Sequence, residues 1–388
     1  MADRNVRSFN SLVGETSQVR DVHTLMFLLD QNRTALYQLT ANSKRKTTTY
    51  SPRIEFFEDA DLLMLGTVSN GTTSYTAGPT GIAVADVTLF GTNDVVVTQN
   101  NEHILVTAIT GTTNGTLTVT RGFAGSTAAT IGPTETVKIL GVAQTENGAI
   151  DSPRTPSRTP QTSGAQIFEW PIQLTKTLAA SKNYGDKPER ARLQELGMRR
   201  MKLEIENAGL FGRYSETLGT PGSRYTSMGI RNRIATNISA VATTLTYQTF
   251  LAFSRLCFRY TTGPKLLLAA PIVKEGLDFI AGSKQLTHTQ DTQFGVSLKR
   301  FVTANGDWLI ANNYNLDASY NDEAIGIDLN SVEYAVLSAN GVSMDTKLIT
   351  DYDTTNPKLI KDLVLTQAGW RVYHEARHAL MTGVTSYA

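Results

Sequence analysis

Apolar residues recur at helical spacing in two stretches of the chain. Within residues 21–43, leucines share one side: Leu25, Leu28, Leu29, Leu36 and Leu39. Within residues 187–212, a second set shares a face: Leu193, Leu196, Met201, Ile205 and Ala208. Pro188 suits a first turn and Gly212 suits a stop. The first stretch therefore predicts a short amphipathic helix, and the second predicts a helix of about 26 residues and about 39 Å.

Between these helices the pattern changes to that of short strands. Residues 63–148 are rich in Thr, Gly and Val and form alternating runs such as "DVTLFG", "GTLTVTRGFAG" and "ETVKILG". Turn residues separate the runs. The stretch therefore predicts a small all-β module, a barrel or a sandwich, inserted into the surrounding domain.

The remainder of the chain alternates the two patterns. Helices are predicted over "YQTFLAFSRLCFRY" and "PIVKEGLDFIAG", and strands over "KLLLAAP", "VSLKRFVTA", "GDWLIANN", "EAIGIDL" and "VEYAVL". The ending "KDLVLTQAGWRVYHEARHALMTGV" predicts a β-hairpin with its turn at Ala368 and Gly369. Residues 151–164 are rich in proline and predict an extended, exposed connection.

Composition narrows the classes of function. Charged residues make up 18% of the 388 residues, against about 25% in typical soluble proteins, and the net charge is +1. A net charge this small creates no strong electrostatic field, so it does not indicate a nucleic-acid, membrane or acidic partner. The single cysteine, Cys257, excludes an internal disulfide framework and a cysteine-rich zinc module. With neither an N-terminal apolar run nor an apolar stretch near 20 residues, we expect no export signal and no transmembrane helix.

The sequence "HEARH", residues 374–378, fits the H-E-x-x-H pattern of zinc proteases. That site requires a helix, because only there do histidines four residues apart share a face. The neighbouring residues favour a strand, which would separate His374 and His378 by about 13 Å. No His, Asp or Glu follows His378 to act as a third ligand. We therefore expect ordinary residues near the end of the hairpin, and a zinc hydrolase using Glu375 is a remote alternative.

Other chemical signals are weaker still. Cys257 lies in an apolar helix and is expected in the core. "DASYNDEAIGID" lacks calcium-loop spacing and predicts a solvated turn. The basic run Lys44–Lys46 indicates a subunit contact or simple solvation. Arg192, Arg199 and Lys202 on the long helix indicate either a solvated face or a face over a polyanion. The sequence therefore predicts no catalytic residue, no metal ligand and no cofactor.

The order of the segments resembles the HK97-type major capsid protein of tailed bacteriophages, and within that fold the SU10-like group. "YSPRIEFFEDADL" is similar to the strand that leads out along the extended loop, and "GTLTVTRGFAGSTAATI" to the inserted β module of the group. "AQIFEWPIQLTKTLAASKNYG" and "LGMRRMKLEIENAGLFG" are similar to the return strand and spine helix. "PKLLLAAPIVKEGLDFI" and "FGVSLKRFVTANGDWLIANN" are similar to the axial domain, and the ending to the last peripheral-domain strands.

The resemblance implies an α+β, HK97-like capsid fold with an inserted β domain. It assigns residues 1–43 to an N-terminal arm and short helix, and residues 44–62 and 149–175 to extended-loop strands. Residues 63–148 form the insertion, and residues 241–350 the axial domain. The peripheral domain takes residues 176–240 and 351–388, with the spine helix at 187–212.

The resemblance also implies a function. It predicts a non-enzymatic major capsid protein that self-assembles, as hexamers and pentamers, into an icosahedral head shell enclosing phage DNA. Implied partners are decoration, scaffolding and portal proteins, with non-specific contact to packaged DNA and no membrane. The expected location is the virion, after assembly in the host cytoplasm. The main alternative is another phage structural protein, of the tail or a decoration.

Overall fold

The computed structural model describes residues 34–41, 44–59, 64–111, 114–146, 148, 158–181, 188–219, 222–284, 289–293, 296–316 and 319–388. They form two compact units. The smaller unit is Phe57–Pro160, and the larger takes in the described residues up to Phe56 and those from Gln161 onward. Most of the helix predicted at 21–43, including Leu25, Leu28 and Leu29, lies outside the described residues.

The described residues contain six α-helices. They are α1 Ala35–Ala41, α2 Lys176–Ala180, α3 Glu189–Phe211, α4 Ile230–Arg233, α5 Tyr247–Cys257 and α6 Pro271–Lys284. Leu36 and Leu39 are buried in α1, as the spacing predicts. The long predicted helix is present as α3, whose 23 residues span about 35 Å.

The strands before α5 are β1 Lys46–Thr49, β2 Arg53–Asp59, β3 Leu65–Thr67, β4 Gly81–Val84, β5 Asp94–Val97, β6 His103–Thr110, β7 Gly115–Thr120, β8 Thr136–Val142, β9 Arg158–Gly164, β10 Gln166–Thr175, β11 Ser215–Thr217, β12 Arg224–Thr226, β13 Ile238–Ala240 and β14 Thr244–Leu245. Those after it are β15 Lys265–Ala269, β16 Thr289–Gln293, β17 Val296–Thr303, β18 Gly306–Asn312, β19 Ala324–Ile327, β20 Val332–Ala339, β21 Val342–Ser343, β22 Lys347–Ile349, β23 Leu359–Val372, β24 Ala379–Thr382 and β25 Ser386–Tyr387.

The smaller unit is a closed β-barrel. Its six strands pair in the order β3-β8-β5-β6-β7-β4. A bridge between Val68 and Val84 joins the two ends of this order, with Ser69 N–H bonded to Ala83 O at 2.9 Å. Inward-facing side chains such as Val96, Ile104, Val119 and Ile139 form its own core. Closure leaves no free sheet edge around the barrel.

The larger unit contains two main sheets. One pairs in the order β1-β20-β23-β10, with β21 on β20 and β22 on β23. The other has seven strands in the order β13-β24-β19-β15-β18-β17-β16. Strand β15 is buried along its whole length between β18 and β19, which explains its unbroken apolar run. Trp308 on the neighbouring strand β18 is fully buried. Its ring stacks on that of Phe253 from α5, with the ring centroids 5.5 Å apart.

The end of the chain does not form the predicted hairpin. Strand β23 runs through Ala368 and Gly369 without a turn, and Ala368 pairs with Val336 on one side and Gln166 on the other. Glycine is needed at 369 for close approach, since a Cβ there would lie 2.3 Å from Gly164 O. The prediction treated a packing glycine as a turn glycine.

The predicted division at residue 350 does not follow these sheets. Strand β20, at 332–339, belongs to the sheet of β10 and β23, whereas β24 joins the seven-stranded sheet by pairing with β13 and β19. Long-range strand pairing, rather than position along the chain, decides which sheet a strand joins. The assignment of peripheral and axial domains stays a prediction.

Helix α3 packs closely on the first sheet because Gly209 leaves room for a tryptophan ring. The fully buried Trp370 on β23 donates from Nε1 to Ile205 O at 3.3 Å, and a Cβ on Gly209 would lie 2.6 Å from its ring. The helix face predicted from Met201 and Ile205 is buried, and Gly209 belongs to it as well.

Gly209→Ala is expected to destabilise the larger unit by about 1–3 kcal/mol, because the buried indole must shift. The matched control is Gly282→Ala in α6, where a Cβ meets nothing within 4 Å. There alanine favours the helix and should stabilise it by up to about 1 kcal/mol. Urea denaturation of both variants checks the pair, and equal effects would contradict this account.

Candidate functional site

The segment His374–His378 crosses between the two sheets of the larger unit. His374 follows β23 with a left-handed backbone (φ 50°), Glu375–Arg377 forms one 3-10 turn, and β24 begins after His378. The segment is therefore neither the zinc-protease helix nor a strand of a hairpin. The described residues contain no group of three or more His, Cys, Asp or Glu side chains able to hold a metal ion.

His378 is fully buried, and both ring nitrogens are used. Nδ1 accepts from Asp328 N–H at 3.3 Å, so the proton lies on Nε2, which donates to Tyr373 O at 3.2 Å. Burial lowers the pKa of His378 to about 4, because the charged ring would lose its hydration. The Glu375 carboxylate accepts from Ala235 N–H at 2.9 Å. These two side chains therefore join elements of the fold.

Cys257 lies beside the same crossover. Its side chain is buried, and burial raises the pKa of its thiol to about 12, so it is protonated near neutral pH. The neighbouring Lys265 is also buried and donates to Cys257 O at 2.6 Å and Arg377 O at 2.8 Å. The burial of Cys257 confirms the expectation that it belongs to the core. A neutral, buried thiol is also a poor nucleophile.

The acidic stretch before β20 is only partly the solvated turn that its composition predicts: Ser319 and Asn321 are exposed in a turn, but the residues from Glu323 onward are buried. Glu323 is buried and accepts two hydrogen bonds from Arg231, at 2.6 and 2.7 Å. Asp328 is also buried and caps a turn by accepting from Asn330 N–H. The distant Arg231 compensates the burial of Glu323, and the N–H of the following turn compensates that of Asp328. Composition reveals neither contact.

The basic face of α3 is largely neutralised by its own glutamates. On this face Arg192 pairs with Glu189 and Arg199 with Glu195, whereas Lys202 is exposed. Arg200, on another side of the helix, pairs with Glu204. These are i,i+3 and i,i+4 pairs on one helix, whose contribution to stability is small. Of the two interpretations left open by the sequence, this pairing favours the solvated face.

A buried carboxylate on α3 connects three parts of the larger unit. Glu206 accepts from Leu36 N–H at 3.0 Å and Tyr37 N–H at 2.6 Å, at the start of α1. It also accepts from Asn313 Nδ2 at 3.3 Å, after β18. Burial raises the pKa of Glu206 to about 7 against the effect of these donors. Sequence reasoning missed this residue, because at helical spacing Glu206 lies on the charged side of α3 with Arg199 and Lys202.

A second buried carboxylate fixes the start of α3 to β23. Asp362 accepts from Arg190 at 2.6 and 2.7 Å and from Gln194 Nε2 at 2.7 Å. The Arg190 guanidinium lowers the pKa of Asp362 to about 2. Strand β23 also contains Lys361, Thr366 and Gln367, so no pattern in the sequence marked Asp362 as buried.

The barrel has its own buried ion pair, within the run "VTRGFAG". Arg121 binds Glu102 with two hydrogen bonds of 2.6 and 2.7 Å, and both side chains are buried. Glu102 also accepts from Gly122 N–H at 3.1 Å and Ala129 N–H at 3.0 Å, while Arg121 donates to Thr76 O and Ala129 O. Burial alone would raise the pKa of Glu102, but these donors outweigh it and hold that pKa below its usual range.

The backbone conformation of the run "VTRGFAG" explains why glycine follows Arg121. Gly122 has φ +65°, a backbone conformation that suits glycine, and this turns its N–H toward Glu102. One carboxylate thus holds three stretches of the barrel together, at 102, 121–122 and 129. The buried charged side chains described in both units thus connect separate parts of the fold through hydrogen bonds. No described helix is long and apolar enough to cross a membrane.

Comparisons with known proteins extend this picture. The model of the SU10 major capsid protein family matches residues 6–385. The capsid asymmetric unit of cyanophage A-1(L) is similar in structure with a TM-score of 0.56, at 10% identity over 96% of this chain and 99% of that one. A structure from Mycobacterium phage Cain gives a TM-score of 0.51, at 9% identity over 98% of both chains. No curated protein matches the sequence.

Proposed function

The chain belongs to the SU10 major capsid protein family and is a shell-forming capsid protein. From that premise we propose that its copies assemble as hexamers and pentamers of an icosahedral head enclosing phage DNA. The α+β, HK97-like fold expected from the sequence is confirmed. The proposal includes assembly in the host cytoplasm and a purely structural role without catalysis.

The ribbon of β2 and β9 is the observation that supports assembly best. These two strands pair only with each other among the described residues. Phe57 on this ribbon is 66% exposed, and Tyr50 in the turn before it is 79% exposed. A two-stranded ribbon is marginal in water, and exposed aromatic side chains indicate an interface. Neighbouring copies would cover both features in a shell.

The distribution of charge supports contact with packaged DNA. Residues 57–160 hold 4 of the 36 Lys and Arg residues and 9 of the 35 Asp and Glu residues. They therefore carry a net charge of −5, and the rest of the chain carries +6. We propose that cations of the larger unit outside α3 make the non-specific phosphate contacts, because the α3 arginines already have partners. Decoration, scaffolding and portal proteins complete the proposed set of partners.

Electron microscopy of the purified protein tests this proposal. We expect closed, shell-like particles that contain five-fold and six-fold clusters of subunits. Open tubes or isolated trimers would favour a tail protein. A compact monomer under every assembly condition would contradict the proposal.

A further inference from the structure

The outer surface of the barrel is divided into two chemically different parts. Over β7 and the neighbouring part of β6 it carries exposed threonines: Thr107, Thr116, Thr118 and Thr120. Over β3, β8 and β5 it carries aliphatic side chains instead: Leu65, Leu140, Val95 and Val97. We call this second part the aliphatic strip.

Strand register places the side chains of the strip on three neighbouring strands around Lys138. Leu65 pairs with Lys138, and Lys138 pairs with Val97, so these three side chains lie in a row across three strands. Leu140 lies two residues along β8, at a bulge where it has no partner in β5. Leu140 is 53% exposed and Leu65 36%, and Met64 and Val142 beside them are about half exposed. Lys138 is the one charged side chain in this row.

A strip of this kind is unexpected on a small barrel. The outer face of an antiparallel sheet is usually polar when it meets only water. The barrel core lies on the inner face, so the strip does not contribute to it. Since closure leaves no strand edge available for pairing, a partner would contact this unit through side chains. Contiguous exposed aliphatic side chains mark a protein interface.

Charge indicates which surface covers the strip. The smaller unit carries −5, so two such units placed face to face repel each other. The rest of the chain carries +6 and attracts it. A second copy offers that surface at high local concentration in a shell. A contact between two different surfaces also closes into a ring when repeated by rotation.

We infer that the aliphatic strip packs against the larger unit of a neighbouring copy, in a contact between unlike surfaces. This inference rests on the proposed function, because it takes a second copy of the chain as the partner. It names the contacting face of the barrel and excludes barrel-to-barrel pairing.

Photo-crosslinking identifies the partner surface. Leu140 is replaced by p-benzoylphenylalanine, the particles are irradiated, and chains of doubled mass are analysed by peptide mass spectrometry. We expect links from position 140 to the larger unit of another copy, within residues 34–56 or 161–388. The same replacement at Thr118, on the threonine side, should give at least tenfold fewer of these links. Links from position 140 to residues 57–160, or no links in intact shells, would overturn the inference.

The failure of this inference is distinguishable from failure of the proposed function. Shells without links to the larger unit overturn the inference alone. Links to the larger unit within tubes support the inference and contradict the head shell. A monomer without intermolecular links overturns both.

A substitution tests the same contact without a label. Leu140→Asp is expected to reduce the yield of particles at least tenfold, because a carboxylate cannot be buried in an apolar contact without a partner. Thr118→Asp adds the same charge on the other side and should assemble at near wild-type yield. Circular dichroism of both variants should show a folded barrel. Equal yields from two folded variants would overturn the inference.

Discussion

Arg121→Met is expected to destabilise the barrel by about 3–4 kcal/mol at pH 7 while leaving the larger unit folded. The methionine keeps much of the side-chain volume but leaves the buried Glu102 carboxylate without its partner. Removing one member of a buried ion pair typically costs several kcal/mol. Protonating Glu102 limits the loss, and at pH 7 that protonation itself costs about 3–4 kcal/mol.

Hydrogen exchange resolved along the chain is the suitable measurement, because the two units need not unfold together. Amides of β6, β7 and the Ala129 loop should exchange about 150- to 1,000-fold faster, and those of β15 and β23 should not change. The matched control is Lys138→Met, which removes the other basic side chain of residues 63–148 from an exposed position. Equal exchange in the two variants would show that the buried pair does not stabilise the barrel.

A double variant separates the buried charge from lost packing. Arg121→Met with Glu102→Gln removes the charge that the single variant leaves unpaired. It should recover part of the stability, because an amide is less costly to bury than a carboxylate. No recovery would indicate that packing and the hydrogen bonds to Thr76 O and Ala129 O matter more than charge.

Acidification from pH 6.5 to 4 is expected to remove up to about 3 kcal/mol of stability through His378 alone. Its pKa is about 4 in the folded chain, against about 6.5 when unfolded. The unfolded chain therefore binds a proton through this window, and the folded chain does not. The contribution is complete above pH 6.5 and is lost as the pH falls toward 4.

Protonation would place an N–H on Nδ1 facing the N–H of Asp328, so the hydrogen bond that holds the crossover would be lost. Glu206 acts in the opposite direction over part of the same window. Its raised pKa costs stability as the pH rises from about 4.5 to 7. The informative quantity is therefore the difference in the free energy of unfolding between variant and wild type at each pH.

Urea denaturation of the unassembled chain at several pH values measures this difference. His378→Gln cannot titrate, so its free energy of unfolding should be lower at pH 7 and should lack the decline from pH 6.5 to 4. The matched control is His374→Asn in the same segment, because asparagine tolerates the left-handed backbone there. That variant should keep the decline. A decline retained by His378→Gln would assign it to another group.

Local patterns predicted much of the fold. The apolar spacing in α3, α5 and α6, and the buried run of β15, identified elements close to their observed bounds. The β-rich stretch was recognised because its strands pair with near neighbours in the chain. The turn at Ala368 and Gly369 was wrong, since a glycine needed for close packing has the same sequence signature as a glycine needed for a turn.

The side chains that hold the units together were predicted least well. Glu323 and Asp328 were expected in solvent but are buried, Glu323 beside the distant Arg231 and Asp328 as the cap of the turn that follows it. Glu206, Asp362 and Glu102 drew no attention, because a buried carboxylate differs from an exposed one only in what surrounds it.

The sequence by itself determined most of the succession of helices and strands, the β-rich stretch at 63–148 and the family, because these depend on residue spacing and order along the chain. The tertiary structure alone decided which sheet each late strand joins, that the module closes into a barrel and which charges are buried. It also decided that His374–His378 is a crossover between two sheets rather than a helix or a strand of a hairpin. Those features depend on contacts between residues far apart in sequence, and a linear pattern does not encode which of them meet.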